Sequence, residues 1–367
     1  VGEYRFRLIL VQSHAGMKGV PPPHKPRSFE PAIECWPGDI YSGGSSVSLM
    51  RAVRYHEHGG PEVLAIDDVD RPEPRGAEVQ VDVAAAGVNP VDTYFREGLY
   101  TPAAMPMIPG SDLAGTVAVT GPEVTAFEPG DRVFGTGMGR DRQGTYAEFA
   151  LAPANHLADL PDGVSFVEGA AIALVGVTAW RALVHHAGLE PAETCLVHGG
   201  SGGVGHAAVQ LADATGARVL TTARPAYSER LERLGADEVF DYRRDDLADA
   251  VVEAGRPSAI LDHRLDDYLQ FDAEVAQQGG RVVGIGNTQQ AAGFENVPAA
   301  RAKELTVHLM SMFNTPDFGA VLDRLSMLLR VGDIVPDVAE TYSLEEAAEA
   351  QRAVMEKSFF GKLVIEP

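Results

Sequence analysis

The chain has little cysteine, little lysine and no long uninterrupted apolar run. Its two cysteines, Cys35 and Cys195, cannot build a disulfide framework, and the expected location is cytoplasmic. No unbroken apolar run approaches the ~18 residues of a membrane span, and Phe6–Val11, broken by Arg7, is too short for a signal-peptide core. A membrane is therefore not an expected partner. Positive charge is scarce and one-sided in type: five of the 30 basic residues are lysine (Lys18, Lys25, Lys303, Lys357, Lys362), leaving arginine for the other 25. Acidic side chains number 52, the net charge is −22, and such a surface repels nucleic acid. A chain this acidic that still carries well-patterned apolar segments is expected to be salt-adapted (halophilic), because at ~1 M salt the Debye length falls to about 3 Å and self-repulsion is screened.

What is present divides the chain in three. Residues 1–49 hold five basic and four acidic residues, the runs Pro21-Pro-Pro and Gly43-Gly-Ser-Ser, and no lasting periodicity; they read as a loosely structured N-terminal extension. From Met50 to about Leu174, short apolar alternations such as Glu78-Val-Gln-Val-Asp-Val-Ala and Leu113-Ala-Gly-Thr-Val-Ala-Val are punctuated by turns such as Pro129-Gly-Asp-Arg, the rhythm of a β-rich, barrel-like domain. From about Val175, strands expected at 194–198, 217–222, 238–242, 258–262, 281–285 and 305–309 alternate with helical patterns, including Ala226–Leu234 and Asp266–Gln277. That describes an α/β domain with a doubly wound parallel sheet over 175–313. A helix at Asp317–Arg330 and a closing strand at Gly361-Lys-Leu-Val-Ile return the tail, 314–367, to the first domain.

The segment Thr194-Cys-Leu-Val-His-Gly-Gly-Ser-Gly-Gly-Val-Gly-His-Ala-Ala-Val-Gln-Leu-Ala reads as strand, glycine turn and helix. Gly200, Gly202 and Gly205 satisfy G-x-G-x-x-G: a tight turn, a close backbone approach to a pyrophosphate, and close helix–strand packing. The helix start offers free N–H groups to that anion. The following strand ends Val219-Leu-Thr-Thr-Ala-Arg224-Pro, with no acid before Glu229 to accept from a ribose 2′-hydroxyl. Arg224 is a rigid donor fork suited to a 2′-phosphate, so NADP(H) is favoured over NAD(H).

A zinc dehydrogenase of this two-domain rhythm needs Cys, His and Glu about a catalytic metal and a four-cysteine structural lobe. Two cysteines supply neither set as usually built, and His56-Glu-His58 and His185-His186 lack H-E-x-x-H spacing and read as surface or capping histidines. No metal is expected, and an activated, electron-poor acceptor becomes the expected substrate.

Several motifs then carry a resemblance. Met50-Arg-Ala-Val-Arg-Tyr-His-Glu-His-Gly-Gly-Pro-Glu-Val-Leu, Ala86-Gly-Val-Asn-Pro-Val-Asp-Thr-Tyr-Phe-Arg-Glu-Gly-Leu-Tyr100, Ile108-Pro-Gly-Ser-Asp-Leu-Ala-Gly, Gly130-Asp-Arg-Val-Phe-Gly and Gly144-Thr-Tyr-Ala-Glu-Phe resemble, in order from Met50 to Pro367, the zinc-independent quinone oxidoreductases. These are the zeta-crystallin-like branch of the medium-chain dehydrogenase/reductase superfamily. Zinc members would have a His where Ser111 stands and a Cys near Asn89. The resemblance implies a GroES-like catalytic domain (50–174 and 314–367), a Rossmann NADP-binding domain (175–313), and a homodimer joined through Rossmann sheet edges. It implies hydride transfer from NADPH to quinones or other α,β-unsaturated carbonyl compounds. By position it implies Asn89 and Tyr94 beside nicotinamide and substrate as the catalytic pair, Tyr100 near the cleft mouth, Thr178 behind the nicotinamide, and Ser201, Gly202, Gly203 and Val204 on the pyrophosphate. Tyr242 would lie near the 2′-phosphate, Gly284, Ile285, Gly286 and Asn287 along the carboxamide, and Lys362 on a phosphate. Tyr227 replaces a lysine that the branch often uses for the 2′-phosphate, which leaves that role to Arg224. Asp262-His-Arg-Leu-Asp-Asp departs from the usual Gly-rich follow-on to the fourth strand. Asn89 and Tyr94 can each hydrogen-bond a developing enolate or quinol anion. The alternatives are a reductase of enoyl thioesters of the CoA type, which would need a basic patch for the CoA phosphates, and a non-catalytic NADPH-binding protein.

Overall fold

The structure, a computed structural model, describes residues 48–367. The expected extension over 1–49 lies outside them except for its last two residues, and the first strand already begins at Leu49. Alternating Val79, Val81 and Val83 are buried along one long strand, as a period of two requires.

Strands β1 (Leu49–Tyr55) and β2 (Leu64–Asp70) form an antiparallel pair. Strands β3 (Glu78–Val88), β4 (Leu113–Thr120), β5 (Arg132–Gly135), β6 (Phe149–Pro153) and β7 (Leu157–Asp159) build most of a seven-stranded sheet. Strands β8 (Thr194–Val197), β9 (Arg218–Ala223), β10 (Glu238–Asp241), β11 (Ala259–Asp262), β12 (Arg281–Gly284) and β13 (Thr306–Leu309) follow. These six are all parallel, in the order β10-β9-β8-β11-β12-β13. Strands β14 (Val338–Ser343) and β15 (Lys362–Glu366) complete the seven-stranded sheet, where β15 runs antiparallel to β3. The chain is thus α/β, with a GroES-like β-rich part and a doubly wound parallel sheet of Rossmann type, and its tail does return to the first sheet. The six parallel strands fall within one or two residues of the positions expected from the sequence.

The helices are α1 (Pro90–Arg96), α2 (Phe166–Trp180), α3 (Gly203–Thr215), α4 (Ser228–Arg233), α5 (Leu247–Ala254), α6 (Leu265–Val275), α7 (Val297–Ala302), α8 (Phe318–Val331) and α9 (Ala347–Glu356). The sequence patterns at 226–234, 266–277 and 317–330 correspond to α4, α6 and α8. Asp317 proves to be the cap of α8, accepting from the Ala320 N–H at 3.0 Å.

Helix α2 adds to one expectation, since its apolar run is interrupted but long. Together with the π-helical turn Arg181–His186 it makes a 21-residue stretch, Phe166–His186, long and apolar enough by length and composition to cross a membrane. It opens with a capping box: Ser165 Oγ accepts from the Glu168 N–H at 3.2 Å, and the Glu168 carboxylate accepts from the Ser165 N–H at 2.7 Å. Its apolar residues face all round because it lies between two layers, and 78% of its most apolar window is buried. One core cluster contains α2 together with Ala85, Ala114 and Phe134 of the first sheet and Val197, Val219 and Leu261 of the second. Position 174/175, where the sequence rhythm changes, falls inside this continuous helix.

Candidate active site

Parallel strand order reverses direction between β8 and β11, and the loops leaving the carboxyl ends of strands at such a switch point form the ligand crevice of open α/β sheets. The glycine turn stands there. Gly199 takes φ +68°, its N–H donates to Thr222 Oγ1 at 3.0 Å, and the Gly200 N–H donates to the Thr222 carbonyl at 2.9 Å, so β9 pins the loop. The three fingerprint glycines differ in what surrounds them. A Cβ on Gly200 would overlap Thr221 Oγ1, and one on Gly205 would overlap the Gly199 carbonyl oxygen and come 2.8 Å from Gly200 Cα. A Cβ on Gly202 would meet only the Gly199 carbonyl oxygen, at 3.4 Å. Two glycines therefore serve packing, while the third faces open space at the N-cap of α3.

Gly203 leads to a buried polar cluster. A Cβ on it would come 2.9 Å from Lys362 Cδ and 3.2 Å from Val175 Cγ1. Lys362, 3% exposed, donates through Nζ to the Val88 carbonyl at 2.7 Å and to Asn89 Oδ1 at 2.6 Å, and lies 3.9 Å from Asp112 Oδ2. Asn89, the N-cap of α1, donates through Nδ2 to Asp112 Oδ2 at 2.8 Å and to the Gly87 carbonyl at 3.4 Å. Asp112 also accepts from the Leu174 N–H of α2 at 2.9 Å. Asp92 accepts from the Asn89 N–H at 2.9 Å, Ser111 Oγ at 3.1 Å and the Tyr146 hydroxyl at 3.0 Å. The buried ammonium thus faces Asp112 directly, and Asp92 joins the cluster through the Asn89 cap.

Burial, then the charge of Asp112, pushes Asp92 up to about 7. Burial likewise raises Asp112, against the pull of Lys362, and lowers Lys362, against the pull of Asp112. The unfolded value of an aspartate is about 4, so the fold keeps a proton on Asp92 that the unfolded chain has released. The stability this group contributes is fully present below about pH 4 and is lost as pH rises toward about 7. Asp92→Asn keeps the shape and removes the titration. Melting temperatures measured across this window should fall less with rising pH in the variant than in the wild type; equal slopes would contradict the assignment.

The other sequence-derived residues occupy the following places. Tyr94 is half-buried on α1, its ring edge-on to Tyr100 with centroids 6.2 Å apart. Thr178 is buried on α2 and donates to the Leu174 carbonyl at 2.8 Å. The Ser201 carbonyl accepts from the Gly361 N–H at 2.9 Å, and Val204 packs on the core through α3. Arg224 is exposed just past β9 and, among the described residues, makes no ion pair; Tyr227 turns its ring onto Phe360, with centroids 5.4 Å apart. Gly284 ends β12, the Ile285 N–H donates to the Asp262 carbonyl at 2.8 Å, Gly286 lies tight against the His263 carbonyl, and Asn287 is exposed. Tyr242 is exposed after β10, the strand farthest along that side of the sheet, with Arg243 over its ring. Direct contact joins Gly203, Lys362 and Asn89. Residues 201–204, Arg224 and 284–287 share the carboxyl-end face of the sheet.

Two expectations need correction on geometry. Both amide hydrogens of Asn89 already have acceptors and its oxygen has a donor, so it offers no free donor to a substrate anion; its amide is held in place by its neighbours. The Lys362 ammonium points toward Asn89 and Asp112, while its aliphatic stem lies along the glycine turn. Asp92, Asp112 and Tyr146 were missed. The signal for Asp92 lies in Asn89-Pro-Val-Asp92, a cap residue followed three positions later by a side chain that can reach back. A second buried cluster was also missed. His198 hydrogen-bonds Asp272 at 2.8 Å and stacks on Tyr268, with Asp262 beside them, under the glycine turn. Burial lowers His198 to about 4 and, with the Asp272 charge, raises Asp262 to about 7. The histidine pairs behave as ordinary surface and capping groups: His56 pairs with Asp67 at 2.8 Å, His58 reaches the Arg96 carbonyl at 3.1 Å, His185 accepts from Trp180 at 3.1 Å and His186 meets Arg181 at 3.3 Å.

Comparison with known proteins agrees with this architecture. Residues 75–162 match the alcohol dehydrogenase GroES-like domain, and residues 234–365 match the zinc-binding dehydrogenase domain. The quinone oxidoreductase of Homo sapiens is 37% identical over 327 residues, covering 86% of this chain and 98% of that protein. The chain belongs to the quinone oxidoreductase branch of the medium-chain dehydrogenase/reductase superfamily. Among solved structures of this superfamily, the Escherichia coli quinone oxidoreductase complexed with NADPH is 29% identical with a TM-score of 0.77, over 86% of this chain and 100% of that one. The CurK enoyl reductase is 25% identical with a TM-score of 0.76, over 86% of this chain and 99% of that one. The name of the second matching domain raises the question of zinc. The side chains at Asn89 and Ser111 do not fit that ion, because the Lys362 ammonium already stands against the Asn89 oxygen and beside Asp112. Among the described residues no group of three or more His, Cys, Asp or Glu could hold a metal.

Proposed function

We propose that this oxidoreductase passes reducing equivalents from NADPH to quinones or other α,β-unsaturated carbonyl compounds, without zinc. One observation carries the reading: the open Gly202 turn, at the switch point of the sheet, is linked through Gly203 and the stem of Lys362 to the buried Asn89 amide. A glycine turn of the kind that suits a dinucleotide thus lies against the fixed start of α1, the helix that carries Tyr94, and this supports the reading.

The residues present fit the coenzyme. Ser201 to Val204 would hold the pyrophosphate through backbone N–H groups at the start of α3. Arg224, with Tyr227 next along the chain and Tyr242 at the end of the neighbouring strand β10, would meet the 2′-phosphate; Thr178 and Gly284 to Asn287 would border the nicotinamide, and Lys362 would place its charge behind it. When bound, the reduced coenzyme supplies a hydride to an electron-poor acceptor. The chain's own part is to orient and to hold charge. Lys362 and Asp112 fix the Asn89 amide, and with it the first turn of α1. The Tyr94 hydroxyl, which has no hydrogen-bond partner among the described residues, donates to the acceptor oxygen as negative charge develops there. Solvent supplies the final proton. The fold kinship with CurK favours keeping enoyl substrates in any acceptor panel. The free edge strand β13, with Leu309 76% exposed beside exposed Val307, supports a homodimer joined at the sheet edge.

Arg224→Glu tests the coenzyme assignment. Removing a charge-assisted donor fork and adding a like charge should raise KM for NADPH by about ten-fold or more while leaving KM for NADH within about two-fold. Following coenzyme oxidation with a panel of quinones and enones in high salt checks this; equal effects on the two coenzymes would reject it.

A further inference from the structure

Helix α1 of the candidate site carries an aromatic wall with a cation at its end. Tyr94 stands edge-on to Tyr100, Tyr100 lies 5.5 Å from Phe95, and Phe95 meets Phe313 edge-on at 5.9 Å. The Arg140 guanidinium sits over the Phe313 ring, 5.4 Å from its centroid. Its position is built by the backbone: Gly137 and Gly139 take φ +95° and +75°, and a Cβ on Gly139 would come 2.6 Å from the Gly110 carbonyl oxygen, next to Ser111. The Arg140 carbonyl accepts from the Ala103 N–H at 3.0 Å, which ties it to the segment bearing exposed Leu99, Tyr100 and Met105.

Elsewhere in this acidic chain, arginines such as Arg51, Arg243, Arg244 and Arg281 are closed into hydrogen-bonded carboxylate pairs. Arg140 has a looser arrangement. Its ion-pair partner is the adjacent Asp141, at 3.7 Å through Nε, with an aspartate side chain that is 83% exposed. Among the described residues, the terminal guanidinium nitrogens have no carboxylate within ion-pair distance. A flat, electron-poor ring can lie along the tyrosine and phenylalanine faces, and a planar donor fork at the end of that wall matches a carboxylate or sulfonate.

We infer that Arg140 selects acceptors that carry an anionic substituent, so that the favoured substrates are anionic quinones or enones. This rests on the reductase reading, and two experiments separate the failure of one from the failure of the other. In steady-state kinetics with NADPH at constant ionic strength, a naphthoquinone is compared with its sulfonate. Arg140→Gln should lower kcat/KM for the sulfonate by about five-fold, mainly through KM, and change the parent quinone by less than about two-fold. Arg140→Lys should recover part of the loss. In calorimetry, an inert naphthalene sulfonate should bind the wild type about five-fold more tightly than Arg140→Gln, whether or not any quinone turns over. Equal binding to both proteins, or an equal fall for both quinones, would overturn the inference. Sulfonate binding that depends on Arg140 in a protein that reduces no acceptor would uphold the anion site and overturn the reductase reading alone.

Discussion

Lys362→Met is expected to destabilise the protein by about 3–5 kcal/mol, the range for breaking a buried ion pair from one side. The lysine is the buried cation beside Asp112, and its removal leaves Asp112, fully buried, with neutral donors such as the Asn89 amide and the Leu174 N–H. The loss should come from the orphaned charge and not from packing, because methionine keeps most of the stem that lies along Gly203. The double variant Lys362→Met/Asp112→Asn should therefore be more stable than Lys362→Met alone. Urea midpoints of the wild type, both singles and the double check this. Additive losses would show that the two groups do not form one electrostatic unit.

Gly205→Ala is the second large effect. The added methyl would overlap the backbone carbonyl of Gly199, which cannot rotate away as a side chain could. A stability loss of about 1–3 kcal/mol is expected, together with displacement of the whole turn. Gly202→Ala offers the contrast. Gly202 has φ −78°, a conformation alanine adopts freely, and its methyl would meet only one oxygen, at 3.4 Å. That variant should melt within a few degrees of the wild type yet bind NADPH at least about ten-fold more weakly, because its methyl occupies the side kept open for the pyrophosphate. Thermal melts and coenzyme titrations of the two variants separate the roles. A Gly202→Ala protein with unchanged coenzyme affinity would contradict the placing of the pyrophosphate.

Much of this was legible in the sequence because strand periodicity and glycine spacing are local signals. The six parallel strands, the turn at Gly200–Gly205 and the helix capped by Asp317 all announce themselves within a few residues. The burial of α2 was not legible in that way. Its apolar residues show no polar face because two sheets cover it, and only the assembled layers show that this run, interrupted by Glu168, Thr178 and Arg181, is a core helix. The Lys362–Asn89–Asp112 cluster was only half legible. Each residue lay in a noticed motif, but the pairing spans 273 positions from Asn89 to Lys362 and depends on β15 docking beside β3. The role first expected for Asn89 changed for the same reason: an asparagine's free hydrogens can be counted only when its neighbours are known. Arg140 gave no sequence signal at all, since its orientation follows from two left-handed glycines and an aromatic partner, Phe313, far along the chain.

The most direct measurement is a calorimetric titration of the purified protein, in high salt, with NADPH and with NADH. Saturable binding at one site per chain, tighter for NADPH and weakened by Gly202→Ala, is expected. No heat with either coenzyme, or tighter binding of NADH that is indifferent to Arg224→Glu, would contradict a phosphate-reading dinucleotide site at the glycine turn.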